Sequence, residues 1–274
     1  KTVETYKFGE TVDTPADPVV AGMTFIKWDT VIPATMPAEN LVIVAEFEVS
    51  VYKATFLVDG VVYDQFMVGH GDEIPVPAED PKKDFYTFTG WSNMPADGRM
   101  PAVDIEITAT FERVPVKLVP MAGSTTVIDA DTMAIYGIGL YATEAKLRST
   151  YLAVEGDGYF TVAPSQRTAC GTGTVIELYD NVTGELLETY TIVVFGDLNG
   201  DSKISIDDHA IAQAEYDWFT SWSDPSSSEY DFYKTMAADF DGDSRISVGE
   251  AADIERYVLG TVTIDQTTGA VNHI

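Results

Sequence analysis

At 274 residues the chain is longer than one core usually organises, so two to four domains are expected. Apolar residues at 45% and aromatics at 11% suit packed cores and argue against a disordered chain. Sixteen basic against 44 acidic side chains give a net charge of −28, a field that repels phosphate backbones and anionic membranes and so excludes nucleic acid as a partner. Solubility charge, a cation site or a basic partner remain.

No apolar run reaches the roughly 20 residues of a membrane span, so membrane insertion is not expected. Lys1 opens into structured-looking sequence without a signal segment, which reads as an internal or C-terminal piece of a longer protein. The lone cysteine, Cys170, reads as a buried, inert thiol.

The first two fifths of the chain repeats itself. Phe25 and Trp28 return as Phe88 and Trp91, Met36-Pro37-Ala38 as Met100-Pro101-Ala102, and Ala45 and Phe47 as Ala109 and Phe111. Upstream, Gly9-Glu10 and Pro15 correspond to Gly71-Asp72 and Pro77. Segments 41–47 and 105–111 are short, β-branched and alternating, which predicts strands. The second copy opens with a predicted hairpin, 52–57 and 61–68, turned at Asp59-Gly60; the first copy lacks it. The aromatic-x-x-Trp, Met-Pro-Ala and closing Ala-x-Phe resemble the internalin-B-type repeat of bacterial surface proteins. That resemblance covers about residues 1–114 and implies a β-grasp fold used as spacer or adhesive stalk. Trp28 and Trp91 are expected to be core anchors. Lys27 stands where the second copy has Gly90, so the turn before Trp28 is expected to differ.

A different unit is expected over 115–195: strands at 127–129, 134–136, 159–162, 175–179 and 189–195, with a helix at 143–152. Asn181-Val-Thr-Gly184 reads as a hairpin turn.

A twelve-residue loop then appears twice. Asp197-Leu-Asn199-Gly-Asp201-Ser-Lys203-Ile-Ser205-Ile-Asp207-Asp208 returns 42 residues later as Asp239-Phe-Asp241-Gly-Asp243-Ser-Arg245-Ile-Ser247-Val-Gly249-Glu250. This spacing turns alternate oxygens inward around a calcium-sized cation, which takes six to eight of them. Two calcium ions are therefore expected. In the first loop Asp197, Asn199, Asp201 and Asp208 are the side-chain candidates, with the Lys203 carbonyl and a water near Ser205. In the second they are Asp239, Asp241, Asp243 and Glu250, with the Arg245 carbonyl and Ser247. The sixth residue, where an EF-hand prefers glycine for its positive φ, is Ser202 or Ser244. Ile204 and Ile246 are placed to pack the loops together.

Each loop leads into a predicted helix. Residues 208–218 should bury Ile211, Ala214 and Trp218, and residues 250–259 should bury Ile254, Tyr257 and Val258. Between them stand an insertion at 219–228 with Trp222 and a middle helix at 229–238. Residues 261–274 are expected either to clasp back onto Gly196 or to be disordered.

Loop then helix, twice, resembles a dockerin over about residues 196–260, and the preceding unit resembles the β-rich modules found before dockerins. That resemblance implies docking onto a cohesin, through Ile206, Asp207, Gln213 and Ala214 in one half and Val248, Gly249, Glu255 and Arg256 in the other. The unlike pairs Gln213-Ala214 and Glu255-Arg256 predict one dominant orientation. It also implies an exported, non-catalytic protein on a cellulosome-type scaffold or the bacterial cell surface. The second reading is a surface adhesin whose β-repeats bind a host or glycan ligand.

The fold class expected overall is multidomain and mainly β with a small α module at the C-terminus. Its expected parts are two β-grasp-like repeats (1–50 and 51–114), a β-rich accessory module (115–195) and the duplicated loop–helix segment with its tail (196–274). No phosphate loop, zinc cluster or nucleophile elbow appears, and His70 and His209 read as structural or exposed, so no enzyme is expected.

Overall fold

The structure, a computed structural model, describes residues 2–274. It is mainly β, with several sheets and four short helices among the described residues. Two compact units divide the chain, the first ending at Arg113 and the second comprising Val114–Ile274.

In the first unit the repeat is geometric as well as textual. The first copy supplies β1 (Met23–Trp28) and β2 (Ala45–Val49), an antiparallel pair. The second supplies β3 (Val51–Val58), β4 (Val61–Gly69), β5 (Tyr86–Ser92) and β6 (Ile105–Arg113), in the sheet order β4-β3-β6-β5. Its central strands β3 and β6 run parallel. No helix crosses this sheet among the described residues of the unit.

The aromatic-x-x-Trp motif has a physical reason. Residues three apart on a regular strand face opposite sides. Both copies carry a bulge between the two aromatics: pairing slips between Phe25 and Lys27, and again between Phe88 and Gly90. The extra residue returns both rings to one face. Phe25 and Trp28 lie 5.3 Å apart edge to face, as do Phe88 and Trp91. The phenylalanine of the partner strand completes each cluster, Phe47 at 5.9 Å and Phe111 at 5.7 Å. The register is therefore the same in both copies, while the backbone before the tryptophan differs as Lys27 had suggested: Gly90 takes a positive φ, of 138°, and Lys27 does not.

The Gly9-Glu10 and Gly71-Asp72 turns are also duplicated. Gly9 N–H donates to Met36 O and Gly71 N–H to Met100 O, both at 2.9 Å. Met36 N–H returns a bond to Glu10 O, and Met100 N–H to Asp72 O. The second copy has the fuller core, with Phe56, Met100 and Ile107 buried and Trp91 packed 4.8 Å from Phe56. His70 is structural: its ring fills the space a Cβ at Gly22 would need, and Nδ1 meets Met100 O at 3.1 Å.

The second unit is built on a five-stranded sheet of β8 (Val127–Asp129), β9 (Ala134–Tyr136), β11 (Gly158–Ala163), β12 (Val175–Asp180) and β13 (Leu186–Ile192). Its order is β11-β12-β13-β9-β8, with β13 and β9 parallel. A smaller pair joins β7 (Lys117–Pro120) to β10 (Leu152–Glu155). The helix expected at 143–152 is α1 (Glu144–Lys146), capped by Thr143 and continued by a π-helical turn, Leu147–Tyr151. Asn181 and Gly184 turn β12 into β13 as expected.

The apolar run Ile192-Val-Val-Phe195 shows why residues 114–274 form one body. Side chains alternate along extended chain. Tyr190, Ile192 and Val194 enter one core with Leu147, Leu152, Ile176 and Leu178. Val193 and Phe195 enter the other, with Ile204, Ala212, Trp222, Ala237, Ile246 and Ile254. A segment buried on both sides reads as unbroken apolar sequence, and here it is the wall shared by two cores. No compact-unit boundary falls at 195/196.

Beyond that wall lie α2 (Ile206–Tyr216), α3 (Phe232–Ala238) and α4 (Val248–Val258), then a hairpin of β14 (Val262–Ile264) and β15 (Val271–His273). The tail does clasp back. Gln266 Nε2 donates to Phe195 O at 2.8 Å, Gly137 N–H donates to Gln266 O, and Ile264 packs beside Gly196.

Candidate metal centre

The two acidic loops match nearly bond for bond. Asp197 Oδ1 accepts from the amides of Gly200 (2.8 Å) and Asp201 (3.1 Å), and Oδ2 from Ser202 (2.9 Å). Asp239 does the same with Gly242 (2.7 Å), Asp243 (3.1 Å) and Ser244 (2.8 Å). Ser202 and Ser244, both in the glycine-preferring sixth place, each adopt φ of 63°.

In the second loop one oxygen each of Asp239, Asp241 and Asp243 lies within 4.8 Å of the others. Among the described residues this is the one such grouping of acids, histidine or cysteine. The first loop has Asn199 in the middle place. Its oxygen accepts from Asp201 N–H at 2.9 Å, as Asp241 accepts from Asp243. Lys203 and Arg245 are exposed at the seventh place, and Lys203 reaches Asp201 at 3.4 Å.

The twelfth residues hold the helix starts. Asp208 Oδ2 accepts from Ser205 N–H (2.8 Å) and Oγ–H (3.0 Å), while Oδ1 accepts from Leu198 and Asn199 amides. Glu250 likewise accepts from Ser247. Ser205 and Ser247 are N-caps, and each forms a capping box with the acid three residues on. This starts both helices two residues earlier than the apolar periodicity alone predicts.

The loops differ in their surroundings. Asp197 and Asp208 are 0% exposed, whereas Asp241 and Asp243 lie in solvent. Burial pushes the Asp197 carboxyl up to about 7, against amide bonds from Thr172, Ser202 and Gly200 that favour its ionised form; nearby Asp208 pushes it further up. Among the described residues no basic side chain forms an ion pair with Asp197 or Asp208, and two such buried carboxylates in a loop of oxygen groups suit a hard cation.

Helices α2 and α4 pack against each other. His209 Nδ1 meets Ala251 O at 2.9 Å, and these two residues occupy equivalent places in the duplication. Ile204 and Ile246 are buried in the shared core, as expected. Helix α2 instead buries Ala212 and Glu215; Ala214 is half-buried and Trp218 is 90% exposed. In α4, Ile254 is buried, Tyr257 half-buried and Val258 exposed.

Sequence reasoning missed Glu215. This buried carboxylate accepts from Thr220 Oγ, Trp222 N–H, and Ser223 N–H and Oγ–H, so it organises the insertion and seats Trp222 in the core. Burial raises its pKa, but those hydrogen bonds outweigh burial and leave it lowered. It also missed the Ser165–Gly173 segment over the first loop, although Gly171 and Gly173 flanking one residue signal a close backbone approach.

The residues assigned to cohesin contact are scattered in character. Ile206 and Val248 are exposed at 55% and 56%, and Asp207, Gly249, Glu255 and Arg256 are exposed as well. Gln213 and Ala214 are only half-exposed, Gln213 bonded to Asp217 and Arg256 to Asp253.

Comparison with known proteins places the likeness at the other end of the chain. The Listeria-Bacteroides repeat domain matches residues 1–44 and 52–110. Internalin H of Listeria monocytogenes serovar 1/2a is 34% identical over 122 residues, 38% of this chain. The chain spans 22% of that relative's length. No solved structure matches. These findings correct the dockerin resemblance: the matching domain type is the Listeria-Bacteroides repeat, and a relative is Internalin H. The cohesin partner, the single docking orientation and the cellulosome association are withdrawn with it.

Proposed function

We propose that this chain is a non-catalytic segment of a bacterial surface adhesin-type protein. Its repeats act as stalk and ligand face, and the second unit is stabilised by two calcium ions. The observation that carries the reading is the duplicated repeat, matched by the Listeria-Bacteroides repeat domain, in a chain 34% identical over 122 residues to Internalin H. No helix among the described residues is long and apolar enough to cross a membrane.

The favoured ligand face is the edge strand β4. One side of it is free of sheet pairing, and Val61, Val62, Tyr63 and Met67 are 41–69% exposed along it. An exposed edge with apolar side chains suits an added strand or a ring stacked on Tyr63. A host protein or a glycan is the proposed ligand.

Each loop would hold its cation through the oxygens named above, with Asp197, Asn199 and Asp201 facing one ion and Asp239, Asp241 and Asp243 the other. Bound calcium would supply the counter-charge that the buried Asp197 and Asp208 lack.

Binding of the full chain to host-cell surfaces and a glycan array tests the adhesin reading. Binding that persists in chelator and is lost in Tyr63→Ala/Met67→Glu supports it. Binding unaffected by those β4 changes would sink it.

A further inference from the structure

The two loops share one internal geometry but differ in what covers them. Over the first, Ser165 Oγ donates to Gly200 O and Gln166 Nε2 to Asn199 O, both at 2.6 Å. Thr172 N–H donates to Asp197 Oδ2 at 3.1 Å. From another side, Tyr141 N–H reaches Ser202 O at 2.7 Å and Ala142 N–H reaches Ser202 Oγ at 2.9 Å. Gly171 lies so close that a Cβ there would overlap Asp197 Oδ2 and stand 2.5 Å from Ser202 N and 2.7 Å from Gly200 O. None of these bonds comes from within the acidic loop. Over the second loop, the four residues Asp241–Ser244 are exposed, and a Cβ at Gly242 would meet nothing within 4 Å.

We infer that the chain carries two unequal calcium sites: a first, closed over by residues 141–142 and 165–172 and exchanging only when that cover opens, and a second, open and freely exchanging. This rests on the calcium reading above and deepens it. The cover residues act as positioning groups, holding the Asn199 and Gly200 carbonyls and the Asp197 carboxylate in place. Release from the first loop needs local unfolding of the segment that carries Cys170, itself 0% exposed. Release from the second needs no such step. The first ion would then belong to the fold, and the second would respond to calcium in the surroundings.

Release from the calcium-loaded full chain into excess fluorescent chelator, followed by stopped flow, separates the possibilities. Equilibrium dialysis first counts the bound ions, and alkylation of Cys170 is followed in parallel. Two ions leaving in two equal phases, the slower by at least about tenfold, are expected. Asp241→Asn should weaken or abolish the fast phase alone. Gln166→Ala, which removes the one side-chain bond to Asn199 O, and Ser165→Ala, which removes the bond to Gly200 O along with those to Ala169, Gly171 and Thr174, should speed the slow phase and Cys170 alkylation together. Two ions leaving in one phase, or a slow phase untouched by both cover variants, would overturn the inference while leaving the calcium reading intact. No bound calcium at dialysis would overturn both.

Discussion

Gly171 and the Asp197 carboxylate stand in direct backbone-to-oxygen contact, with no room for a Cβ between them. Thr172, the next residue, gives its amide to the same oxygen. One glycine thus allows a β-rich layer to lie flat on an acidic loop 26 residues away in the chain. Gly171→Ala is expected to destabilise the second unit by about 3 kcal/mol, because neither the carboxylate nor the Gly200 carbonyl can retreat. Chemical denaturation of the variant in saturating calcium measures this; a change within error of zero would show that the loop yields.

Cys170 offers a pH test. Burial pushes its thiol up to about 11, with Glu144 adding to the shift. A pKa raised above the unfolded value gives stability that is complete below about pH 9 and is lost as pH rises through the folded value. At pH 8 the folded chain should hold the thiol protonated and react with iodoacetamide at least about 100-fold more slowly than in denaturant. Comparable rates in the two conditions would contradict the buried thiol.

Glu215 works with the opposite sign. Its folded pKa lies below the ordinary value, so its contribution is present above about pH 4.5 and fades as pH falls through the folded pKa. Glu215→Gln should cost roughly 2 kcal/mol at neutral pH, where it removes a charged acceptor of four donors. The deficit should shrink on acidification. Thermal melts of both chains between pH 3 and 7 give the comparison, and a constant gap would assign the loss to packing.

The two repeat tryptophans should not be equally costly to remove. Trp91 meets Phe56 and Phe88 and flanks a core of buried side chains, whereas Trp28 meets Phe25 on a two-stranded sheet. Trp91→Ala is expected to cost about 3 kcal/mol and Trp28→Ala about 1 kcal/mol. Denaturation of each variant, followed by circular dichroism, provides the ranking; equal losses would refute it.

Much of this architecture was legible because local chemistry set it. A Phe and a Trp three apart can share one face of a strand only across a bulge, and both copies have one. The alternating oxygens of 197–208 and 239–250 close the same amide-to-carboxylate turns in each loop. What escaped reading depends on partners distant in sequence. Nothing in Ala214 or Trp218 says where α2 stops or which side of it meets the core: the helix ends at Tyr216, and Trp218, past the C-cap Asp217 with φ of 64°, lies in solvent. The family resemblance of 196–260 weighed the loops over the repeats, and the comparisons favour the repeats.

The parallel pairing of β3 with β6 has a mechanical consequence. Ala54, Thr55, Phe56 and Leu57 lie beside Ile105, Glu106, Ile107 and Thr108, with both strands pointing the same way. Tension applied between Val51 and Arg113 therefore pulls the two strands past each other and loads the whole ladder in shear. Hairpins such as β3–β4 and β14–β15 open instead one rung at a time when their two ends are drawn apart. Under such tension, this order of strand directions makes the second repeat stiffest along the line of the chain.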